Sequence, residues 1–193
     1  TQEDAAGLLY RLDIQPQSSL LALLVQSQSQ PDWGFLLPSG ATVDNNQAYL
    51  LMTDPWQEEE NPAVKAVDLH VTPGQQLHFR LRANPTKRLS AGKDKIGKRV
   101  GIYDEEGLHQ WLQRKASSGG FQIHTLSISQ EEKLLRQAAI KRQEQIHKLE
   151  LFSVQFDGIL QVTDPAAFLS ALQAGIGSGK AFGFGLLSVA PVR

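Results

Sequence analysis

From Gln76 to Ala83 apolar and polar residues alternate: Leu77, Phe79 and Leu81 fall on one side, His78, Arg80 and Arg82 on the other. That period of two is the pattern of a half-buried β-strand. Asn84-Pro85 ends it, and a basic loop runs on to Arg99. A helix follows. Asp104-Glu105-Glu106 puts carboxylates in its first turn, where the macrodipole favours negative charge, and Leu108, Trp111 and Leu112 form an apolar stripe at helical spacing. Arg114-Lys115 fill its last turn and Ser117-Ser118-Gly119-Gly120 stop it. Phe121 to Ile128 reads as a strand with Phe121, Ile123 and Thr125 on one side, then Leu126 and Ile128 on the other; the change of side predicts a β-bulge. The polar stretch Glu131 to Lys148 fits either a helix or a long hairpin excursion. Leu149 to Val162 resumes as a strand, broken near Asp157-Gly158. Asp164-Pro165 is N-cap chemistry followed by proline at the first helical position. Phe168, Leu169 and Leu172 of that helix face a core, Gly175 stops it, and Leu186 to Ala190 makes a last short strand.

The first half is less regular. Leu8 to Asp13 and Ser19 to Ser27 are apolar runs joined by a short turn at Pro16; their lengths and flanking turns predict paired strands, with helix the alternative that their leucine content leaves open. Pro31-Asp32-Trp33-Gly34, Pro38-Ser39-Gly40 and Asn61-Pro62 are turn sequences. Ala63 to Val71 alternates loosely and predicts one more strand, closed by Thr72-Pro73-Gly74. A boundary at this Pro-Gly turn divides the chain into 1–75 and 76–193. In the second segment the order strand, helix, strand, strand, helix, strand is the split βαβ arrangement of a ferredoxin-like (RRM-like) domain. The first segment reads as the same plan without its opening strand and helix. The expected fold class is therefore α+β with two tandem ferredoxin-like domains, the first awaiting an element upstream of Thr1.

Composition narrows the function classes. The chain has 193 residues, 41% of them apolar, 20% charged, and 16 glycines, which excludes long disorder and collagen-like repeats. No apolar run approaches the roughly 18 residues a spanning helix needs, and no secretory h-region is visible, so no membrane partner is expected. With no cysteine there is no disulfide framework, zinc finger or thiol nucleophile; a reducing, cytoplasmic setting suits the chain. The net charge of −1 conceals an asymmetry. Residues 1–75 hold two cations against ten acids, whereas residues 76–193 hold seventeen against ten. Between Arg80 and Arg99 lie eight cations (Arg80, Arg82, Lys87, Arg88, Lys93, Lys95, Lys98, Arg99) and one acid, Asp94. A charge run is commonly a solvated face, but the prolines and glycines in and around this one describe a shaped loop, and the asymmetry points to a polyanion on one half of the molecule.

The segment Gly175-Ile-Gly177-Ser-Gly179-Lys180-Ala-Phe-Gly183-Phe-Gly185 carries five glycines in eleven positions. It is not a nucleotide loop: Phe182 breaks G-x-G-x-x-G, Ala174 and Ala181 break G-x-x-x-x-G-K-[ST], and the run follows a helix and enters a strand, the reverse of both motifs. It supplies backbone able to approach a phosphate chain closely, with Lys180 as an added cation. A tight helix-to-strand turn with packing glycines is the plainer alternative.

These residues resemble a known family. Gly175-Ile-Gly177-x-Gly179-Lys180-x-Phe182-Gly183-x-Gly185-Leu186-Leu187, near a C-terminal Ala-Pro-Val, is similar to the glycine-rich loop of CRISPR-associated repeat-RNA endoribonucleases. Phe79 to Lys87 (Phe-Arg-Leu-Arg-Ala-Asn-Pro-Thr-Lys), Lys98-Arg99-Val100-Gly101, Trp111 to Lys115 and Leu8 to Leu12 resemble the subtype I-E branch, the CasE family. The resemblance spans essentially the whole chain. It implies tandem ferredoxin-like domains that bind a CRISPR repeat hairpin, cut at its 3′ base and stay with the mature guide RNA among the other protein subunits of Cascade. It also implies a general acid/base histidine on the family's first helix, a position that falls before Thr1; His70, His78, His109, His124 and His147 lie in other elements.

RNA can be cut without metal when its own 2′-hydroxyl attacks the adjacent phosphate, which needs a base, an acid and cations for developing charge. The sequence has no H-E-x-x-H or close carboxylate grouping suited to a catalytic metal, and neither metal nor cofactor is expected. The candidate RNA-binding residues are Arg80, Arg82, Lys87, Arg88, Lys98 and Arg99; Lys133, Arg136, Lys141, Arg142 and Lys148 of the excursion; and Gly177, Gly179, Lys180 and Gly183. A-form RNA hides its major groove from side chains except near ends and loops, so shape and phosphates are what such residues read. For the excursion, an exposed helix that mixes its cations with Glu131, Glu132 and Glu144 is the alternative. Two rival functions remain: a non-catalytic hairpin-binding subunit of a ribonucleoprotein complex, and a ferredoxin-like domain that binds small anions or protein.

Overall fold

The computed structural model describes residues 7–14, 21–28, 67–89, 97–130, 138–142, 145–149 and 151–192. Two apolar strands open the chain, β1 (Leu9–Ile14) and β2 (Leu21–Gln26), paired antiparallel with Leu9 opposite Gln26. The remaining elements are β3 (Gln76–Ala83), β4 (Thr86–Arg88), β5 (Arg99–Gly101), α1 (Glu105–Ser118), β6 (Phe121–Gln130), β7 (Ala138–Arg142), β8 (Gln145–Leu149), β9 (Val154–Val162), α2 (Pro165–Ala174), a 3₁₀ turn (Lys180–Phe182) and β10 (Leu187–Pro191). Strands β10, β3, β9 and β6 form, in that order, one four-stranded antiparallel sheet.

The alternation in β3 decides the layers. Leu77, Phe79, Leu81 and Ala83 are buried, and they join Val154, Phe156, Leu160 and Val162 of β9 in one core with Leu108, Trp111 and Leu112 of α1 and Phe168 and Leu172 of α2. The Trp111 ring stacks on Phe156 at 5.8 Å, and Phe121 meets Phe168 edge to face at 5.7 Å. Both helices begin as their sequences dictate. Asp104 Oδ1 accepts from Gly107 N at 2.7 Å, and Asp164 Oδ1 accepts from Ala166 N and Ala167 N at 3.0 and 3.1 Å. With both helices on one face, His78 and Arg80 look out from the other.

Several sequence expectations hold and two are corrected. The bulge in β6 lies between Ile123 and Thr125 and returns Leu126 and Ile128 to the core side. The excursion is a hairpin, β7 against β8, rather than a helix. Strand β9, however, runs unbroken through Asp157-Gly158, because Gly158 is where the bulged strand closes in: an added Cβ there would lie 2.0 Å from the Thr125 carbonyl oxygen. The glycine keeps the ladder together. The predicted strand Ala63 to Val71 is absent over Val67–Val71, while 63–66 lie outside the described residues. Leu69 and Val71 rest on the core edge, and among the described residues no strand pairs with them.

The β1–β2 hairpin docks on the larger sheet, the 3₁₀ turn and α2 through bonds contributed from both sides. Tyr10 Oη donates to Ala181 O at 2.8 Å, Arg11 Nη1 to Ser188 Oγ at 2.9 Å, Arg82 Nη1 to Leu12 O at 2.7 Å, and Gln26 Nε2 to Leu172 O at 2.8 Å. Leu9, only 2% exposed, closes the seam. Gly175 faces it at φ +73°, and a Cβ there would sit 2.8 Å from Leu9 Cδ2. Among the described residues no helix is long and apolar enough to cross a membrane.

Candidate nucleic-acid interface

The open sheet face carries the first group of predicted cations, and each has a partner within the protein. Arg80 Nε donates to Asp157 Oδ1 at 2.6 Å from the neighbouring strand, and this bond, with burial opposing it, holds the guanidinium pKa above its ordinary value. Arg82 is half-buried and its Nη1 grips the Leu12 carbonyl. Arg11, whose side chain is 5% exposed, pairs with Asp13 at 2.9 Å and reaches Ser188. In the sequence Arg11 is one of two cations in an acidic half; its role in tying the two halves together depends on a contact 177 residues away.

The second group stands differently. Strands β4 and β5 form a two-stranded ribbon in which Thr86 faces Gly101, Lys87 faces Val100 and Arg88 faces Arg99. Lys87, Arg88, Lys98 and Arg99 are all exposed. Among the described residues, none of the four has an acid within ion-pair distance. Two like charges directly opposite each other across a ladder are destabilising, by a few tenths to about 1 kcal/mol. The ribbon is held at both ends instead: at its root Ile102, buried, donates its N–H to Pro85 O at 3.1 Å, and at its far end Leu89 N donates to Lys98 O at 3.0 Å. Over 86–88 and 99–101 the predicted basic loop is thus a short paired ribbon that presents cations; residues 90–96 lie outside the described residues.

The same root reaches the glycine segment. Asn84, buried just before the ribbon, forms a bridge with Ser178; its carbonyl accepts from Ser178 Oγ at 3.2 Å and its Oδ1 accepts from Phe152 N at 3.2 Å. Basic arm and glycine turn therefore adjoin. In the sequence Asn84 reads only as a strand terminator, since nothing local marks the long-range use of its amide. Gly177, Gly179 and Gly183 have φ of +91°, +83° and +81°. The space a side chain would fill is occupied by Trp111 at Gly177, Phe184 at Gly179 and Tyr10 at Gly183. Lys180 Nζ donates to Ala174 O, the last residue of α2, where a cation complements the helix dipole.

In the excursion Lys141 stands opposite Ile146, Arg142 opposite Gln145 and Lys148 opposite Ala139. Lys133 and Arg136 lie outside the described residues. His70, His78 and His124 are exposed and His109 is half-buried. His70 pairs with Asp68 at 3.1 Å, and His124 Nε2 lies 3.0 Å from Gln161 Oε1.

Comparison with known proteins places this arrangement. The profile of a family described as CRISPR associated protein matches residues 1–191. The chain belongs to that family. Over 98% of its length it is 36% identical to the CRISPR-associated endoribonuclease Cse3 of Thermus thermophilus, covering 82% of that relative. It is also 31% identical to the Cascade subunit CasE of Escherichia coli, over 66% of this chain and 64% of that one. Among solved structures, Cse3 bound to a 19-nucleotide RNA superposes with a TM-score of 0.72 at 34% identity, covering 96% of this chain and 80% of its own. Cas6e from Escherichia coli gives a TM-score of 0.61 at 25% identity, with 96% and 84% covered. The mixed α+β architecture, with antiparallel sheets and few helices, is common to these CRISPR-associated proteins. In this member of the family, the basic ribbon and the glycine turn meet at Asn84.

Proposed function

We propose that this chain processes CRISPR precursor RNA: it binds the repeat stem-loop, cleaves it, and stays on the mature guide RNA as a subunit of Cascade. One observation carries the reading, namely Arg88 opposite Arg99 with Lys87 and Lys98 beside them, a cluster at odds with isolated stability and suited to a phosphate backbone. The relatives add chemistry, being an endoribonuclease and a Cascade subunit by name. We read residues 1–75 and 76–193 as tandem ferredoxin-like domains. The four-stranded order β10-β3-β9-β6, with helices between β5 and β6 and between β9 and β10, supports the second of them. The ribbon, the β7–β8 hairpin and the glycine turn with Lys180 make the RNA-binding surface, and the cytoplasm is its setting.

In the proposed reaction the 2′-oxygen next to the scissile bond attacks phosphorus and the P–O5′ bond breaks. The products are a 2′,3′-cyclic phosphate and a free 5′-hydroxyl, and cations balance the charge that develops on the phosphate oxygens. A repeat-RNA hairpin incubated with the chain, with and without a chelator, tests this. Cleavage at one position that persists in chelator is the expected result. A hairpin that co-elutes uncut in gel filtration makes the chain a non-catalytic RNA-binding subunit, and a hairpin that does not bind overturns the reading.

A further inference from the structure

We infer that Tyr103 is a stacking platform for an unpaired RNA base whose neighbouring phosphates meet Arg88 and Arg99, an inference that rests on the repeat-RNA reading above. An exposed tyrosine by itself is ordinary on a protein surface. Three observations set this one apart. The residue is 55% exposed, yet its ring is held against Phe152 with centroids 4.7 Å apart at 57°. The tip of the ring lies over the backbone of Gly101: a Cβ at that position would be 2.7 Å from both Cζ and Oη of Tyr103. The ring also follows directly on Ile102, the buried anchor of the ribbon.

These contacts fix the platform before any ligand arrives, so little side-chain freedom remains to be lost on binding. Its surroundings select the ligand. Gly101 ends the strand that carries Arg99 two residues earlier, about 7 Å along an extended chain. Arg99 in turn stands opposite Arg88. An aromatic face at one end of a cationic ribbon is the combination that binds unpaired nucleotides, with bases on the ring and phosphates on the guanidinium groups. A paired base, already stacked within a helix, gains nothing from the ring. The site therefore distinguishes a stem-loop with unpaired nucleotides from a fully paired duplex of equal charge.

The test uses the full chain and an RNA stem-loop with unpaired flanks, carrying 2-aminopurine at each unpaired position in turn. Wild type is expected to quench the fluorophore at one position, and Tyr103→Leu to abolish that quenching and weaken binding about 10-fold, within the range of base–aromatic stacking. Because Tyr103 touches no phosphate, the slope of log K against log salt is expected to stay the same. Tyr103→Phe retains quenching. Gly101→Ala, which pushes the ring off its seat without removing it, loses quenching in part. A fully paired duplex binds wild type and Tyr103→Leu equally. If wild type binds the stem-loop but quenches at no position, or if Tyr103→Leu binds as wild type does, the inference fails while the RNA-processing reading stands. If wild type binds no stem-loop, both fail.

Discussion

At Gly158 one methyl group would meet the Thr125 carbonyl oxygen at 2.0 Å. The bulge in β6 moves that carbonyl over β9, and only a residue without a side chain lets the two strands keep their ladder. Gly158→Ala is expected to destabilise the protein by about 3 kcal/mol, the upper part of the usual overpacking range. Urea unfolding measures it, and a loss below about 0.5 kcal/mol, ordinary for a neutral surface change, contradicts the close approach. At this scale the sequence was legible in part. The switch of apolar side along Phe121–Ile128 announced the bulge, because a missed alternation is itself a local signal. The effect on Gly158 was not legible, since glycine in a strand reads locally as a break and acquires its meaning from the strand opposite.

Elements whose boundaries depend on their own residues are the ones the sequence describes best. Asp164 caps α2 as expected, and Asp104, which reads in the sequence as a first-turn acid, caps α1, because a cap needs only the first turn that follows it. The β7–β8 excursion is ambiguous in the sequence between helix and hairpin, since its scattered apolar residues fall on no single period. The ribbon β4–β5 was missed as strands for a different reason: its two three-residue strands are too short to show alternation, and their pairing spans the intervening basic residues. Its opposed arginines yield a two-sided prediction. Arg88→Gln with Arg99→Gln is expected to weaken hairpin binding and to lower the salt slope by about 1.4 to 1.8, taking 0.7–0.9 per lost phosphate contact. The same double substitution relieves like-charge opposition, so thermal stability is expected to be equal or slightly higher. Filter binding over a salt series, with a melting curve on the same samples, checks both. A drop in stability together with an unchanged slope makes the arginines structural.

For the whole molecule, the question is what joins an acidic first segment to a basic second one. The β1–β2 hairpin is seated by four side-chain hydrogen bonds and by Leu9 packed toward Gly175. Leu9→Ala is expected to cost about 2–5 kcal/mol, as for other large-to-small changes at fully buried sites. Denaturant unfolding measures this, and a cost near zero shows that the seam is not packed. The charge partition, the alternation of β3 and the capped helices all follow from the chain alone, because each is a property of residues close in sequence or of a simple count. Which cations find partners within the protein was decided only in three dimensions. Arg80 and Arg82 have the same strand parity and the same charge as a phosphate-reading pair, yet Asp157, 77 residues on, engages one, and the Leu12 carbonyl, 70 residues back, engages the other. Those partners arrive because β3 lies between β9 and β10, with the hairpin docked beside them. Arg88 and Arg99 lie opposite each other on a ribbon outside that sheet, and among the described residues no acid pairs with either. Charge is written locally, but its neutralisation depends on strand order, which long-range packing decides.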